Sequence, residues 1–457
     1  MLILAASLLV SRALVLSQFE YVLGFLAAVA VFILVFVRTE IGLYLALLSM
    51  LLSPQFVMGG GGRLAEMREI KLRIEDVLLI VIALSWLAKT AVNKELGLVL
   101  ATPLNRPILA YLLTTLGATL VGYMTGTVKT AAGFFYVLKY LEYFVVYYMV
   151  VNNVQNRTQA WRLVRVAFFT AAVVSLIGIA QIPSGERVSA PFEGEVGEPN
   201  TFGGYLLLMM GLAAGLLLES PRLKTRVLSL GFLVVLAIPF LYTLSRASYL
   251  GVFPLVAVLA LLSSRRRLMA GLLLLLLVGS PLVVYLFPTP VVKRVLYTFE
   301  PEAGNPTARL GSVAFDPSTS ARFISMKQAI EGWLERPILG YGVTGFMFMD
   351  AQFARTLVET GVVGLAAFLW LVWSLLRSGH SAFRALGDPE DRGLALGFLA
   401  STAGLLTHAI GSNTFIIIRI MEPFWFFAGI VSMLPMFPPA GPVNRSDDRP
   451  SWPALRS

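Results

Sequence analysis

Long apolar runs separated by short polar stretches occupy almost the whole chain. A helix needs about 20 apolar residues to cross the hydrocarbon core of a bilayer, so each such run predicts one membrane span. The run at 41–57 contains a Ser-Pro pair and is alternatively a re-entrant segment. The pattern predicts about 12 to 14 spans and no separate soluble domain. The predicted spans lie near 2–17, 19–37, 41–57, 76–92, 106–124, 132–152, 161–182, 201–219, 227–243, 247–263, 268–287, 356–376, 394–411 and 414–436.

The composition agrees with this pattern and indicates an all-α, polytopic helical membrane protein. Hydrophobic residues make up 57% of the chain and charged residues 14%, whereas a soluble domain has about 25% charged residues. The weak alternation of a membrane β-barrel is absent from the sequence. The N-terminus lacks a small-residue cleavage site, so we interpret it as the first span rather than as a signal peptide.

The charged and metal-binding residues exclude several kinds of function. The net charge of +10 is typical of basic cytoplasmic loops and gives no reason to expect nucleic acid as a partner. The chain has no cysteine and two histidines, which excludes disulfides, thiolate chemistry and a histidine-rich metal centre.

The distribution of Lys and Arg predicts the orientation, because these residues concentrate on the cytoplasmic side. One loop, Gly62–Asp76, is basic although the number of preceding spans places it outside. Either an early span is miscounted, or this loop is an interfacial amphipathic element. The basic loops assigned to the cytoplasm are 156–165, 221–226, 264–267 and 377–392, together with the C-terminal tail, and the external segments are 183–200, 244–246 and 288–355.

The external loop is the least membrane-like part of the chain. It is one of four parts into which the sequence divides. Ser318 or Ser320 is expected to cap an amphipathic helix that runs to about Glu335. Its apolar face would rest on the membrane or on the bundle, and it comprises Ile324, Ile330, Trp333 and Leu334. The four parts are a transmembrane bundle (1–287), an extracytoplasmic loop with this helix (288–355), C-terminal transmembrane helices (356–436) and a disordered cytoplasmic tail (437–457).

Two external arginines are candidates for binding an anionic group. Arg246 lies in a tight link between two apolar helices, where the positive-inside rule disfavours a purely topological role. Arg322 falls in the first turn of the predicted loop helix, where a positive charge opposes the helix dipole. A guanidinium binds phosphate oxygens through two hydrogen bonds at once and stays charged.

Carboxylates and an amide lie close to these arginines in the predicted topology. Asp350 follows the flexible Gly340-Tyr341-Gly342 turn, and Glu359 lies inside the next span. An ionisable residue inside a span is a candidate for a functional role. Arg355 and Glu359 are alternatively spaced to form a structural ion pair within one helix. Asn200 follows Pro199 before a span and is equally well explained as a helix N-cap. Two arginines with a carboxylate or an imidazole are a minimal set for glycosyl transfer from a lipid diphosphate.

The order of these motifs resembles the O-antigen ligase and polymerase-like membrane family. The resemblance rests on Pro-Asn at 199–200, Ser-Arg-Ala-Ser at 245–248, the Arg322 helix ending in ERPILGYG, and the helix start LVETGVVG. It covers roughly residues 190 to 436 and includes His408 before a final apolar helix. In that family the arginines corresponding to Arg246 and Arg322 engage the diphosphate.

The resemblance implies a GT-C-like membrane glycosyltransferase that needs no metal or other cofactor. It would transfer glycan from undecaprenyl diphosphate to a hydroxyl of a glycan, lipid or protein acceptor. It would lie among the lipids of a bacterial inner membrane, with the active site on the periplasmic or external side.

One departure from the family concerns the base. The family usually has His-Asn at nine and eight residues before the Glu of its E-x-G motif, where this chain has Asp350 and Ala351. Asp350 is the first candidate base and His408 the second, although His408 is also explained as an interfacial histidine bonded to a backbone carbonyl. Glu359 would position one of these groups, and Asn200 and Arg355 are weaker members of the site.

Two other functions stay open from the sequence. A transporter or flippase for an anionic lipid-linked glycan would show internal two-fold symmetry and ionisable residues in broken helices. Lys139 and Glu142 would serve it, although at this spacing they can form a structural pair. The departure at Asp350 also permits a non-catalytic partner in polysaccharide assembly.

Overall fold

The computed structural model describes residues 19–438 except 54, 59–69, 93–100, 192–196, 279–287, 303 and 306. Helices dominate this part of the chain, and four short strands form two antiparallel pairs. The helices before the external loop are α1 (Phe19–Val37), α2 (Thr39–Leu52), α3 (Ile74–Val92), α4 (Asn105–Met124), α5 (Ala132–Asn153), α6 (Arg157–Gln181), α7 (Pro199–Glu219), α8 (Leu223–Tyr242), α9 (Arg246–Leu262) and α10 (Arg266–Val278). The later helices are α11 (Thr289–Leu296), α12 (Pro317–Glu335), α13 (Gln352–Ala385), α14 (Pro389–His408) and α15 (Ile418–Met433). The strands are β1 (Gln55–Met58), β2 (Ile70–Arg73), β3 (Arg309–Leu310) and β4 (Val313–Ala314).

The prediction of a polytopic helical membrane protein is confirmed. Seven helices of the described residues are long and apolar enough to cross a membrane by length and composition, and three apolar helices are shorter. The predicted span at 2–17 and the tail from residue 439 lie outside the described residues. The segment at 41–57 is helical only as far as Leu52 and continues as β1. The total of 12 to 14 spans therefore stays a prediction.

Successive helices run in opposite directions, so their ends gather on two faces. Arg419 connects two chain segments on one face by donating to the carbonyl oxygens of Pro191 (2.7 Å) and Ser53 (2.9 Å). The β1–β2 pair follows Ser53, so the described part of the basic loop, Ile70–Asp76, lies on the face predicted to be external. We call this the site face. The opposite face carries the predicted cytoplasmic loops, for example Arg222, whose Nη1 lies 3.0 Å from Glu390 Oε2. We call it the basic face.

Glycines bring three helices of the site into close backbone contact. A Cβ on Gly215 of α7 would lie 2.1 Å from the Gly393 carbonyl oxygen of α14. A Cβ on Gly251 of α9 would likewise lie 2.8 Å from the Gly404 oxygen of α14. Small residues at such crossings let membrane helices pack backbone to backbone. This contact fixes α7, α9 and α14, whose ends on the site face carry Asn200, Arg246 and His408.

The predicted loop helix is present as α12, but its cap differs from the prediction. Asp316 is the N-cap, and its Oδ1 accepts a hydrogen bond from the Ser318 backbone N–H (3.1 Å). The buried residues of α12 are Ser320, Ala329 and Gly332. Ile330 and Leu334 of the predicted apolar face are exposed. Small side chains allow α12 to lie close to the bundle, which hydrophobic periodicity does not reveal.

Candidate functional site

Arg246 is the first residue of α9, and an ion pair fixes its guanidinium to the external loop. Its Nη1 and Nη2 donate to both carboxylate oxygens of Asp316, at 2.7 and 3.1 Å. Nη1 also donates to Thr298 Oγ1 at 2.8 Å. Asp316 is fully buried, and the Arg246 side chain is 13% exposed. The pair holds the start of α12 against the start of α9.

Asn200 lies beside the same helix start. The N-cap of α7 is Glu198, and Pro199 takes the first helical position, so the expectation of Asn200 as N-cap is wrong. Its Oδ1 instead accepts a hydrogen bond from Ser245 Oγ (2.8 Å). Ser245 is the N-cap of α9. Asn200 therefore connects the ends of α7 and α9 directly next to Arg246.

Two further arginines, which the sequence did not single out, belong to the same region. Arg187 donates from Nε to the Thr243 carbonyl oxygen (3.0 Å) and from Nη2 to that of Leu244 (3.3 Å). Arg294 lies on α11, with its guanidinium carbon 5.8 Å from the centre of the Tyr297 ring. Like Arg246, both lie on the side predicted to be external, where the positive-inside rule disfavours a purely topological role for an arginine. We call Arg187, Arg246, Arg294 and Arg322 the arginine cluster.

Members of the arginine cluster act on one another electrostatically. Burial and the charges of the other three arginines lower the pKa of Arg187 to about 10. Burial also lowers the pKa of Arg294 and of Arg322, and Arg246 adds to both shifts. All remain protonated at neutral pH because a guanidinium has so high an intrinsic pKa. The arrangement is a concentrated, partly buried positive charge.

Hydrogen-bond donors of this cluster remain unused within the described residues. The Nε atoms of Arg294 and Arg322 are buried and have no partner there. Arg322 uses Nη1 to donate to Ser318 Oγ (3.2 Å). The carboxylates in electrostatic range of this region are Asp316, Asp350 and Glu198. Four guanidinium groups outnumber these three carboxylates, which suits an anionic ligand.

Asp350 lies in the loop between the Gly340-Tyr341-Gly342 turn, which we call the glycine turn, and α13. Burial raises its pKa above the ordinary value of 3.8, while Arg322 and Arg355 partly offset this rise. Its Oδ1 accepts a hydrogen bond from Asn413 Nδ2 (3.2 Å). Asn413 also donates to the Met349 carbonyl oxygen (2.7 Å), which fixes the backbone next to Asp350. A half-buried carboxylate with a raised pKa, within electrostatic range of a guanidinium, is suited to accept a proton.

Arg355 and Glu359 form the ion pair that their spacing allows. Arg355 Nε lies 3.2 Å from Glu359 Oε1, and both side chains are buried. Glu359 Oε1 also accepts a hydrogen bond from the Thr344 backbone N–H (3.0 Å). The pair therefore ties α13 to the end of the glycine turn, which is compatible with a positioning role.

The glycine turn fits into a break in α13. Gly361 has a positive φ of 66° inside this helix. The backbone N–H groups of Tyr341 and Gly342 donate to the carbonyls of Val358 (3.0 Å) and Glu359 (2.7 Å). A Cβ on Gly361 would lie 2.1 Å from the Ile338 oxygen, so no other residue fits. The two motifs ERPILGYG and LVETGVVG are thus joined in space.

His408 ends α14 and is fully buried. Its Nδ1 lies 2.7 Å from Thr414 Oγ1, and the ring also forms a hydrogen bond with the backbone of Asn200, as the interpretation of a histidine bonded to a backbone carbonyl predicts. The ring packs against α7, because a Cβ on Gly204 would lie 3.2 Å from its Cε1. His408 lies within electrostatic range of Arg322.

Lys139 and Glu142 lie apart from this region in a separate buried ion cluster. Lys139 Nζ lies 3.0 Å from Glu142 Oε2, and it also contacts Asp76 at the start of α3. The cluster connects α3 to α5, as the structural interpretation of this pair predicts. Among the residues that the structure describes, no group of three or more histidine, cysteine or acidic side chains is arranged to hold a metal ion.

Comparison with known proteins identifies one family. Residues 231–369 match the family model described as O-antigen ligase. The matched segment runs from α8 into α13 and includes three members of the arginine cluster, together with Asp350 and Glu359. The match confirms the resemblance to the O-antigen ligase-like family and supports a glycosyltransferase-like membrane enzyme. No curated protein matches the chain.

Proposed function

Since residues 231–369 match the O-antigen ligase family, we propose that this protein is a glycosyltransferase that uses a lipid-linked glycan. The donor is a glycan on a polyprenyl diphosphate, in bacteria undecaprenyl diphosphate. The acceptor is a hydroxyl group of a glycan, a lipid or a protein. Transfer takes place on the external face of the inner membrane, where the arginine cluster lies in the predicted orientation, and it needs no metal.

The observation that carries this proposal is the arginine cluster next to Asp350. A diphosphate diester carries two negative charges, and the four guanidinium groups of the cluster outnumber the nearby carboxylates Asp316, Asp350 and Glu198. Arginine binds phosphate oxygens in a planar, two-pronged geometry and keeps its charge when partly buried. The unused Nε donors of Arg294 and Arg322 are available for such oxygens.

In the proposed reaction the acceptor oxygen attacks the anomeric carbon of the donor sugar. Asp350 takes the proton of the acceptor hydroxyl as the new glycosidic bond forms. The bond between the anomeric carbon and the diphosphate oxygen breaks, and its electron pair remains on the diphosphate. The arginine cluster stabilises the charge that develops there. A single in-line displacement inverts the configuration of the anomeric carbon.

The remaining site residues have supporting roles in this proposal. Glu359 positions the glycine turn through Thr344, and Arg355 neutralises Glu359. Asn200 holds the start of α9 through Ser245, which orients Arg246. His408 is the second candidate base, because it is buried within electrostatic range of Arg322.

The test is transfer in vitro with purified protein, a polyprenyl-diphosphate glycan and a panel of acceptors. Wild type is compared with Arg322→Ala and Asp350→Ala. Lys327→Ala is the matched control, since Lys327 lies on the same helix and its side chain is 79% exposed. We expect transfer by wild type and Lys327→Ala, none by Arg322→Ala, and a loss of about 100-fold or more in Asp350→Ala.

Other outcomes point to other functions. Full activity of Asp350→Ala would show that Asp350 is not the base, and His408→Gln would then be the next variant to test. Wild type that binds the donor but transfers nothing to any acceptor, its native acceptor included, would contradict the enzyme and favour a transporter or an assembly partner.

A further inference from the structure

A polar cavity of about 420 Å³ lies on the basic face, at the opposite end of the helices from the arginine cluster. Four chain segments form it: the α1–α2 junction, the end of α3, the end of α5 and the start of α6. Its charged lining residues are Arg38, Glu40, Lys89 and Arg162. Three cations and one acid make its lining positive.

Arg162 is the one of these cations that has an ion pair within the described residues, and that pair is long. Among those residues Lys89 Nζ donates to the neutral Val37 carbonyl oxygen (3.3 Å) and Thr39 Oγ1 (3.2 Å). Arg162 approaches Glu40 at 3.6 Å with half of its side chain exposed. Glu40 already accepts a hydrogen bond from Tyr44 (2.6 Å). The Arg38 side chain has no partner among the described residues, and it is exposed.

We propose that this cavity binds a phosphate group, and that the phosphate belongs to the headgroup of an anionic membrane lipid. Basic pockets between transmembrane helices on the cytoplasmic side are suited to anionic headgroups. The amide side chains of Asn153 and Gln159 line the same cavity. A volume of 420 Å³ is ample for a phosphate with its glycerol.

The surroundings favour a lipid over free phosphate. Apolar side chains next to the cavity are exposed on the helix surface: Ile33, Leu34, Val37 and Val92. Trp86 and Tyr44 lie in the lining itself, as aromatic residues do at the membrane–water boundary. Acyl chains can therefore lie along α1 and α3 while the phosphate occupies the cavity. The site is independent of the proposed transfer reaction.

The experiment measures lipid binding to the full-length protein in a neutral detergent by native mass spectrometry. The probes are phosphatidylglycerol, phosphatidylethanolamine and inorganic phosphate. The test variant combines Arg38→Ala, Lys89→Ala and Arg162→Ala. The control combines Arg265→Ala, Arg266→Ala and Arg267→Ala, which remove the same charge from the same face outside the cavity.

We expect wild type and control to bind phosphatidylglycerol alike, and the test variant to bind it about a hundredfold more weakly, at roughly fivefold per cation. Arg38→Glu should weaken binding without loss of fold, because the side chain has no internal contact to lose in the described residues. Competition by millimolar inorganic phosphate would support the phosphate site but assign it to a soluble ligand. Equal binding by wild type and both cavity variants, or an equal loss in the control, would overturn the proposal.

Discussion

Arg246 and Asp316 form a two-pronged ion pair across 70 residues of sequence, with donor–acceptor distances of 2.7 and 3.1 Å. The pair joins the start of a membrane helix to the start of the external helix α12. Arg322 lies one turn into that same helix. Arg246 thus belongs to the proposed diphosphate site and also holds in place the loop that carries Arg322.

Breaking this pair should therefore weaken both stability and donor binding. Asp316→Ala leaves the partly buried Arg246 without its partner, so we expect a loss of about 3 kcal/mol in the free energy of unfolding. Hydrogen exchange should increase in the loop at 288–335. A double-mutant cycle with Arg246→Ala measures the coupling. If the two single variants changed the free energy of unfolding additively, the pair would not be what holds the loop in place.

The same pair should persist at acidic pH. Burial raises the pKa of Asp316, but the hydrogen bonds and charge of Arg246 outweigh it, so the pKa lies below the ordinary 3.8. The contribution of the pair to stability is then complete above the unfolded-state value of about 3.9 and is lost only as the pH falls through the lower folded-state pKa. Thermal denaturation of wild type and Asp316→Asn should converge only below about pH 4.

The pH dependence of transfer should report Asp350. Transfer needs its ionised form, and burial raises its pKa above 3.8. The acid limb of the rate profile should therefore lie at a higher pH than an ordinary aspartate gives. Asp350→His should move this limb towards about 6.5. Arg322 lowers the pKa of Asp350, so residual transfer by Arg322→Gln should show the limb at a higher pH. An acid limb that stays unchanged in Asp350→His would exclude Asp350 as the base.

Gly361 should tolerate no side chain. Its φ of 66° and the short approach to the Ile338 oxygen strain any other residue. We expect Gly361→Ala to lower the free energy of unfolding by at least about 2 kcal/mol. Transfer should also fall, because the glycine turn can no longer pack against the break in α13. Gly231→Ala is the control, since a Cβ there meets nothing within 4 Å. Equal thermal stability of the two variants would refute the assigned role of Gly361.

Lys139 should matter for stability rather than for transport. Lys139→Met leaves Asp76 and Glu142 buried without their cation, so we expect a loss of about 3 to 5 kcal/mol. Lys129→Met changes an exposed lysine near the start of the same helix and should have little effect. The melting temperatures of both variants and wild type in detergent measure this difference in stability. A stable Lys139→Met variant with altered substrate movement across vesicles would support the transporter interpretation.

The sequence predicts the helices well because apolar length alone determines a span. Described helices lie at every predicted span from 19–37 to 414–436, although 41–57 and 268–287 are covered only in part. Arg246 and Arg322 were recognisable because a charge is conspicuous in an apolar or dipole-opposed position. The glycine contacts were partly recognisable too, since Gly211 and Gly215 on α7 have the four-residue spacing of close membrane crossings.

The rest depended on contacts that sequence spacing does not encode. Asp316 precedes a helix and so is fully explained as a cap, and only the fold shows that Arg246 lies opposite it. Arg187 lies in a loop and Arg294 on α11, and only tertiary packing brings both within electrostatic range of Arg322. The residues of α12 that are buried against the rest of the protein are small, namely Ser320, Ala329 and Gly332, and hydrophobic periodicity does not single them out.

In the proposed reaction the arginine cluster binds the diphosphate and Asp350 accepts the proton. The decisive experiment determines donor affinity and transfer rate separately for wild type, Arg322→Gln and Asp350→Asn with the same polyprenyl-diphosphate glycan. We expect Arg322→Gln to lose donor affinity, whereas Asp350→Asn should bind the donor as wild type does and transfer at least about 100-fold more slowly. Undiminished donor binding by Arg322→Gln together with undiminished transfer by Asp350→Asn would contradict it.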